Sequence, residues 1–154
     1  MARVNCGINP KYLSDQHLIA ESVEIIMITG GLRKNGYKIK SPIPEKMNLG
    51  TGYINFFKNK ILYLKDRLEE VNTELDRRGI KNSTSINLLE WGPTGLAKNW
   101  IPSREDSFVL RTRIYDRLLN PIKAKPGFHK YYGEKIENLE KFGKKMIESE
   151  LFYV

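Results

Sequence analysis

The sequence predicts an all-α fold in a single compact domain that spans residues 1–154. Two serines suited to cap helices and one long segment with helical spacing of apolar side chains support this prediction. A chain of 154 residues is also long enough to bury one hydrophobic core. In the long segment, residues 54–78, apolar side chains recur at steps of four and three: Phe57, Ile61, Leu64, Leu68, Val71 and Leu75.

The first helix is expected to begin after Ser14, behind an extended arm of residues 1–13. The Ser14 hydroxyl can cap the helix, which should continue to Gly30 or as far as Lys34. One stripe of this helix carries His17, Glu21 and Glu24. Apolar side chains occupy most of the remaining circumference, which predicts a central and largely buried helix; they are Leu18, Ile19, Val23, Ile25, Ile26 and Met27.

The second half of the chain is expected to add two more helices. Residues 80–102 are irregular in pattern, with Trp91 and Trp100 as anchors to the core. Ser103 and Asp106 have the spacing of a capping box, and Pro121 ends the helix that follows. Its inward side should carry Phe108, Leu110, Ile114 and Leu118. A last helix, about residues 134–152, forms a C-terminal extension (134–154) whose outer side carries Lys141, Lys144 and Lys145.

Composition narrows the class of protein. The net charge of +8 favours an anionic partner, most commonly nucleic acid, although a merely basic protein is the alternative. One cysteine, Cys6, excludes an internal disulfide and a cysteine-rich metal site. The longest apolar run, Ile25–Ile28, is too short to span a membrane, and the N-terminus lacks a signal-peptide pattern. We therefore expect a cytoplasmic protein without a metal or cofactor.

Three groups of residues can contact an anionic ligand. Arg113 and Arg117 lie four residues apart, so they share one helix face. Residues 126–133 combine three aromatic rings with a histidine and a lysine, which suits base stacking and phosphate contact, although ordinary aromatic packing also explains them. Residues 33–52 are basic and form either a solvated loop or a phosphate contact.

The N-terminus offers a possible nucleophile. Alanine at position 2 is small enough for the initiator methionine to be removed, which leaves the α-amine of Ala2 at the end of the chain. The ordinary pKa of an α-amine lies near neutrality and far below that of lysine, so an appreciable fraction is uncharged without special tuning. Either of two carboxylates on the first helix, Glu21 or Glu24, can support covalent chemistry near this amine.

These features together resemble the phage-type endonuclease V family of pyrimidine-dimer DNA glycosylases. The resemblance covers roughly residues 2–133, and the order and spacing of its motifs carry it. The motifs are Arg3-Val4-Asn5, Asp15-Gln16-His17-Leu18, Ala20-Glu21, Glu24, Leu49-Gly50, Phe56-Phe57, Arg78-Gly79, Ile101-Pro102, Arg113, Arg117 and Lys130-Tyr131-Tyr132-Gly133.

The resemblance implies a fold and a reaction. The fold is three main helices with an N-terminal arm threaded between the first two. In the reaction, the amine of Ala2 attacks C1′ of the target nucleotide and displaces the base through a Schiff base. β-Elimination then nicks the strand. Glu24 matches the family's catalytic glutamate, which stabilises the cationic sugar and assists proton removal from C2′.

The resemblance also implies a monomer that acts on double-stranded DNA, in a bacterial or phage-infected cell and associated with the nucleoid. Arg3 would bind a phosphate beside the site, Gln16 would hold the kinked duplex, and Arg113 and Arg117 would hold backbone phosphates. Four residues of the 126–133 turn would line the DNA face and assist lesion recognition: Phe128, Lys130, Tyr131 and Tyr132.

The chain departs from the family pattern on the first helix. Val23 and Met27 stand where the family has two arginines that grip the kinked backbone. A pyrimidine-dimer glycosylase with AP-lyase activity is the leading hypothesis, and the departure leaves two alternatives to it open. One is a glycosylase for another modified base, and the other is a DNA-binding or interaction relative that has lost catalysis.

Overall fold

The computed structural model describes residues 4–122 and 124–153. The predictions for Ala2 and Arg3 therefore lie outside the described residues. Within this part, helices dominate, which confirms a mostly α-helical fold; the predicted all-α class is departed from by one two-stranded hairpin. The elements are α1 (Asp15–Lys34), α2 (Tyr53–Phe57), α3 (Ile61–Arg77), α4 (Leu88–Trp91), α5 (Arg104–Leu119), β1 (Lys130–Tyr131), β2 (Glu134–Lys135) and α6 (Leu139–Glu148).

Helix α1 begins and ends where the sequence predicts. The Ser14 hydroxyl accepts a hydrogen bond from the backbone N–H of His17 at 3.2 Å, as expected of an N-cap. One side of α1 packs against α3. The prediction that α1 is buried around most of its circumference is wrong, because Ile19, Val23 and Met27 are 42%, 52% and 65% exposed.

The predicted helix over residues 54–78 is two helices rather than one. The chain leaves helical geometry at Lys60 because its neighbours pair with residues 96–98. The backbone N–H of Ile61 donates to the Leu96 carbonyl at 3.0 Å, and that of Lys98 donates to the Asn59 carbonyl at 3.2 Å. The apolar stripe is nevertheless confirmed as core, since all six predicted residues are buried: Phe57, Ile61, Leu64, Leu68, Val71 and Leu75.

The excursion over residues 80–102 contains α4 and is anchored as predicted. Trp91 is fully buried and meets the ring of Tyr37 edge-on at 5.1 Å. Trp100 packs against three aromatic rings of the core at 5.0–5.7 Å: Phe56, Phe57 and Tyr63.

Helix α5 has the predicted capping box, in which Ser103 and Asp106 each accept a hydrogen bond from the other's backbone N–H. Three of the four residues predicted to face inward are buried: Leu110, Ile114 and Leu118. The prediction for Phe108 is wrong, because the inward face is centred on Ser107 and Arg111 and leaves Phe108 exposed.

The predicted last helix over residues 134–152 is also wrong at its start, where β1 and β2 form a hairpin. Tyr132 and Gly133 link the strands, and both have positive φ (53° and 78°), as in the tight turns that match strand twist. Helix α6 follows, capped by Asn138, and packs against α5. Its exposed side carries Lys141, Lys144 and Lys145 as predicted.

Candidate active site

The N-terminal segment from Val4 to Ile8 is buried and is hydrogen-bonded to α1 and α3. The side chains of Val4, Cys6 and Ile8 are fully buried. The backbone N–H and the side-chain amide of Asn5 both donate to Glu21 of α1, each at 3.0 Å. Arg67 of α3 donates to the Ile8 carbonyl at 2.6 Å. The beginning of the described chain is therefore fixed in position.

Glu21 anchors this segment. It is 0% exposed and forms a two-pronged ion pair with Arg67, at 2.6 Å and 3.0 Å, in addition to its two bonds from Asn5. Four donors, two of them on a buried guanidinium, satisfy both carboxylate oxygens. Glu21 therefore has a structural role and holds the arm to α1 and α3.

Glu24 lies one helical turn after Glu21 and is 6% exposed. Burial raises the pKa of the Tyr53 hydroxyl well above its ordinary value, and the negative charges of Glu21 and Glu24 add to this rise. The same hydroxyl contacts the backbone of Val4, as acceptor from the N–H and as donor to the carbonyl. The start of the arm is therefore bonded to Tyr53 and, through Asn5 and Glu21, to the helix that bears Glu24.

Cys6 is the other nucleophilic group in this region. Burial raises the pKa of its thiol far above the ordinary value, and its Sγ lies 3.3 Å from the Val4 carbonyl oxygen. A thiol that stays protonated is inert as a nucleophile. This agrees with the interpretation of Cys6 as a small buried side chain.

A second side of the arm is held by the C-terminal segment. Arg111 of α5 is buried and donates to the Gly7 carbonyl at 2.9 Å and to the Met146 and Ile147 carbonyls at the end of α6. The Phe152 N–H also donates to the Gly7 carbonyl, at 3.0 Å. The C-terminal extension therefore braces the arm.

The β1–β2 hairpin is attached to the start of α1. Asp15 accepts hydrogen bonds from the backbone N–H groups of Tyr132 and Gly133 at 3.1 Å and 2.8 Å, and it pairs with Arg78 at 2.9 Å. The Arg78 guanidinium also lies over the rings of Tyr131 and Tyr132, at 4.4 Å and 4.9 Å. Both tyrosine rings therefore pack against Arg78 and help to hold the hairpin on α1.

Gln16 and the predicted residues of the 126–133 turn lie side by side. The Gln16 side-chain oxygen accepts a hydrogen bond from the Lys130 N–H at 2.6 Å, so this oxygen holds the hairpin. Phe128 is half exposed and meets the His129 ring edge-on at 5.1 Å. The N-terminal end of α1 therefore brings together five predicted DNA-binding residues: Gln16, Phe128, Lys130, Tyr131 and Tyr132.

His17 and His129 lie at the N-terminal end of α1, with their rings 4.9 Å apart. Their Nδ1 atoms lie 3.2 Å and 3.3 Å from the Ser14 hydroxyl oxygen. Burial lowers the pKa of His17 to about 3, helped by His129 and by the charges of Arg113 and Arg117. Both arginines are therefore close enough to His17 for their charge to act on it. His17 is on the same helical stripe as Glu24, about 10.5 Å from it along the helix axis.

Two further properties concern residues 4–122 and 124–153. None of their histidine, cysteine, aspartate and glutamate side chains form a group of three or more that could hold a metal ion. No helix in this part of the chain is long and apolar enough to cross a membrane.

The sequence profile of the pyrimidine dimer DNA glycosylase family matches residues 1–88. The chain belongs to this family. It is thus a member of a family of DNA-repair glycosylases, which agrees with its resemblance to the phage-type endonuclease V proteins. The matched part includes the arm and helices α1 to α3, hence Glu21, Glu24, Tyr53 and Arg67; α5, the hairpin and α6 lie outside it.

The structure adds residues that hold the N-terminal segment and that the sequence reasoning did not single out: Tyr53, Arg67 and Arg111. A signal for Arg67 existed, because it lies between Leu64 and Leu68 in the apolar stripe of α3, where a cation needs a buried partner. Arg111 has the same signal, since it follows Leu110 on the inward face of α5.

Proposed function

We propose that this protein is a pyrimidine-dimer DNA glycosylase with AP-lyase activity, in which the α-amine of Ala2 is the nucleophile and Glu24 is the catalytic carboxylate. The observation that carries the proposal is the fixed start of the arm: the Val4 backbone is hydrogen-bonded to the Tyr53 hydroxyl, and Asn5 is hydrogen-bonded to Glu21 on the helix that bears Glu24. Two residues of chain span at most ~7 Å, so an amine at position 2 cannot be farther than this from Val4.

The hydrogen bonds of the arm support pre-organisation. Hydrogen bonds tie the segment to α1 and α3 before DNA binds: Asn5 donates to Glu21, and Arg67 donates to the Ile8 carbonyl. We extend the proposal to an arm threaded between these two helices. A nucleophile on a pre-ordered segment loses little conformational freedom in the reaction, which lowers the barrier.

The proposed reaction has three steps. The amine nitrogen forms a bond to C1′ while the bond from C1′ to the base nitrogen breaks; the base leaves with the electron pair and takes up the proton that the amine loses. The bond from C1′ to the ring oxygen then breaks as the nitrogen lone pair forms the Schiff base, and the ring oxygen takes a proton from solvent. The Glu24 carboxylate then accepts a proton from C2′, and the released electron pair forms the C2′–C3′ double bond and expels the 3′ phosphate. The negative charge of Glu24 also stabilises the iminium cation.

We assign DNA binding to the N-terminal end of α1 and its surroundings, in a monomer on double-stranded DNA. Arg113 and Arg117 would contact phosphates, and Arg3 would do so beside the reacting sugar. Support comes from the position of both α5 arginines near His17 and from the net charge of +8. Gln16, Phe128, Lys130, Tyr131 and Tyr132 would line the same DNA face.

A second candidate is a glycosylase for another modified base. It is favoured by one observation: the exposed positions Val23 and Met27 carry no charge on the helix that bears Glu24. A pyrimidine dimer bends the duplex, and cations at these positions would help to hold the bent backbone.

Borohydride trapping tests the proposal. The protein is incubated with duplexes that carry a thymine dimer, an abasic site or no damage, and is then reduced. We expect a covalent adduct on the first two duplexes and none on the third. An adduct on abasic DNA alone would favour the second candidate, and DNA binding without any adduct would contradict both. Intact mass completes the test, because retained Met1 removes the proposed nucleophile.

A further inference from the structure

The arm has a second set of contacts, made by α5 and by the C-terminal segment. The Gly7 carbonyl accepts two hydrogen bonds, from the Arg111 guanidinium at 2.9 Å and from the Phe152 N–H at 3.0 Å. Gly7 has a positive φ of 73°, and a Cβ atom there would lie 2.7 Å from Leu151 Cδ1 and 2.8 Å from Ser107 Cβ. Carbon atoms do not approach each other this closely, so only glycine fits between α5 and the C-terminal segment.

Arg111 joins α5 to the C-terminal segment. Its Nε donates to the Ser107 hydroxyl at 2.9 Å, one turn earlier on α5. Its Nη atoms donate to four carbonyls at and after the end of α6, those of Met146, Ile147, Ser149 and Glu150. The carbonyl end of a helix is the negative end of its dipole, so it suits this buried cation. Helix α5, the end of α6 and the residues after it therefore form one hydrogen-bonded support beside Gly7.

The position of Gly7 is coupled to the start of the arm. Two backbone hydrogen bonds close the arm on itself: the Cys6 N–H donates to the Val4 carbonyl at 3.0 Å, and the Ile8 N–H donates to the Asn5 carbonyl at 3.4 Å. Turns closed in this way leave the backbone little freedom to deform. A displacement at Gly7 therefore moves the start of the arm as well.

We propose that Arg111 and residues 149–152 form a clamp that positions the α-amine of Ala2 for attack on C1′. Arg111 acts through Gly7, so it is a positioning residue. The inference rests on the proposed function and adds to it, because the family profile matches residues 1–88 and does not include the clamp. A nucleophile that is displaced by about 1 Å can lose about a hundredfold in rate, so a second set of contacts on the arm has a kinetic effect.

The first test shortens the chain. A chain that stops at Glu150 loses Leu151 and the Phe152 N–H, while its new terminal carboxylate lies where the Glu150 carbonyl accepts from Arg111 at 3.1 Å. The buried cation therefore keeps an acceptor. A chain that stops at Phe152 is the matched control, because it keeps the contacts with Gly7. With excess abasic duplex and borohydride added at set times, the shorter chain should be trapped about tenfold more slowly than the wild type, and the control at the wild-type rate.

Rate and final yield separate positioning from folding. The final yield of trapped protein counts the folded molecules, whereas the rate reports how well the amine is placed in each of them. The clamp predicts a lower rate with full yield and with DNA affinity near the wild-type value, measured by fluorescence anisotropy. A lower yield at the wild-type rate would mean that residues 151–152 only stabilise the fold, and it would overturn the proposal.

The second test keeps the whole chain. Gly7→Ala places a Cβ atom against Ser107 Cβ, which is fixed to the backbone of α5, so the arm has to shift. Gly95→Ala is the matched control, because Gly95 has a similar φ of 75° and no atom within 4 Å of where its Cβ would lie. We expect slower trapping of Gly7→Ala at full yield and the wild-type rate for Gly95→Ala. The wild-type rate in Gly7→Ala would contradict the clamp.

The outcomes separate this inference from the proposed function. A wild-type protein that forms no adduct on abasic DNA contradicts the proposed function. Normal trapping of the wild type, together with the wild-type rate in the chain that stops at Glu150, contradicts the clamp alone.

Discussion

The surroundings of Glu21 and Glu24 differ although both are buried glutamates on one face of α1, a single turn apart. Glu21 receives four hydrogen bonds, two from Arg67 and two from Asn5, and its role is complete within the folded chain. Glu24 is also buried, and it neighbours the exposed residues Val23 and Met27 on α1. Burial alone therefore does not distinguish an anchor from a candidate catalyst.

The largest expected effect separates the two glutamates by activity. Glu24→Gln should reduce strand cleavage on a dimer duplex by roughly 10²–10⁴-fold, because the amide cannot accept the C2′ proton. DNA affinity and thermal stability should stay near the wild-type values. Single-turnover cleavage, anisotropy and a thermal melt check these three quantities. Cleavage at the wild-type rate would remove Glu24 from the mechanism.

The next largest effect separates the two glutamates by their contribution to the free energy of unfolding. Arg67→Met leaves the buried charge of Glu21 without its partner and should lower the free energy of unfolding by about 3–5 kcal/mol. Urea denaturation measures it. The control is the double variant Glu21→Gln/Arg67→Met, which removes both charges and should regain part of the loss. A single variant as stable as the wild type would mean that Glu21 is no anchor.

A smaller effect concerns the cations near His17. Arg113→Gln and Arg117→Gln should each weaken binding to every duplex alike and reduce the slope of log affinity against log salt by about one. Lys144→Gln is the matched control, because Lys144 on α6 pairs with Glu140 and lies outside the proposed surface. Unchanged slopes in the arginine variants would place the phosphate contacts elsewhere.

The smallest effect is a pH dependence of stability at the same end of α1. The pKa of His17 is about 3 in the folded protein, against an ordinary value of 6.5. The unfolded chain therefore binds the proton more readily, and stability should fall as the pH drops below 6.5. His17→Asn should flatten this fall between pH 6.5 and 5, where few carboxylates titrate. The same fall in melting temperature with pH in the wild type and in His17→Asn would contradict this role of His17.

Local sequence signals predicted much of the fold. The caps at Ser14 and Ser103 and the apolar stripe of α3 depend on neighbours within one or two turns, so they can be recognised without the tertiary structure. The break before α3 could not, because it comes from pairing with residues 96–98. The hairpin was missed since it needs Tyr132 at positive φ, which only tertiary contacts such as those with Asp15 and Arg78 stabilise.

The candidate site was predictable to a similar extent. The stripe of His17, Glu21 and Glu24 followed from helical spacing, and the resemblance singled out Glu24. The spacing could not assign different partners to the two glutamates, because Arg67 and Tyr53 come from other helices. Nor could it predict that the Val23 and Met27 side of α1 is open, since apolar side chains are usually taken as core.

The most direct test of the account is the position of the DNA adduct on the protein. The borohydride-reduced complex with a dimer duplex is digested with nuclease and protease, and the modified peptide is sequenced by mass spectrometry. The account predicts that the sugar remnant is attached to the α-amine of Ala2. A remnant on a lysine side chain, or on a chain that still begins with Met1, would contradict it.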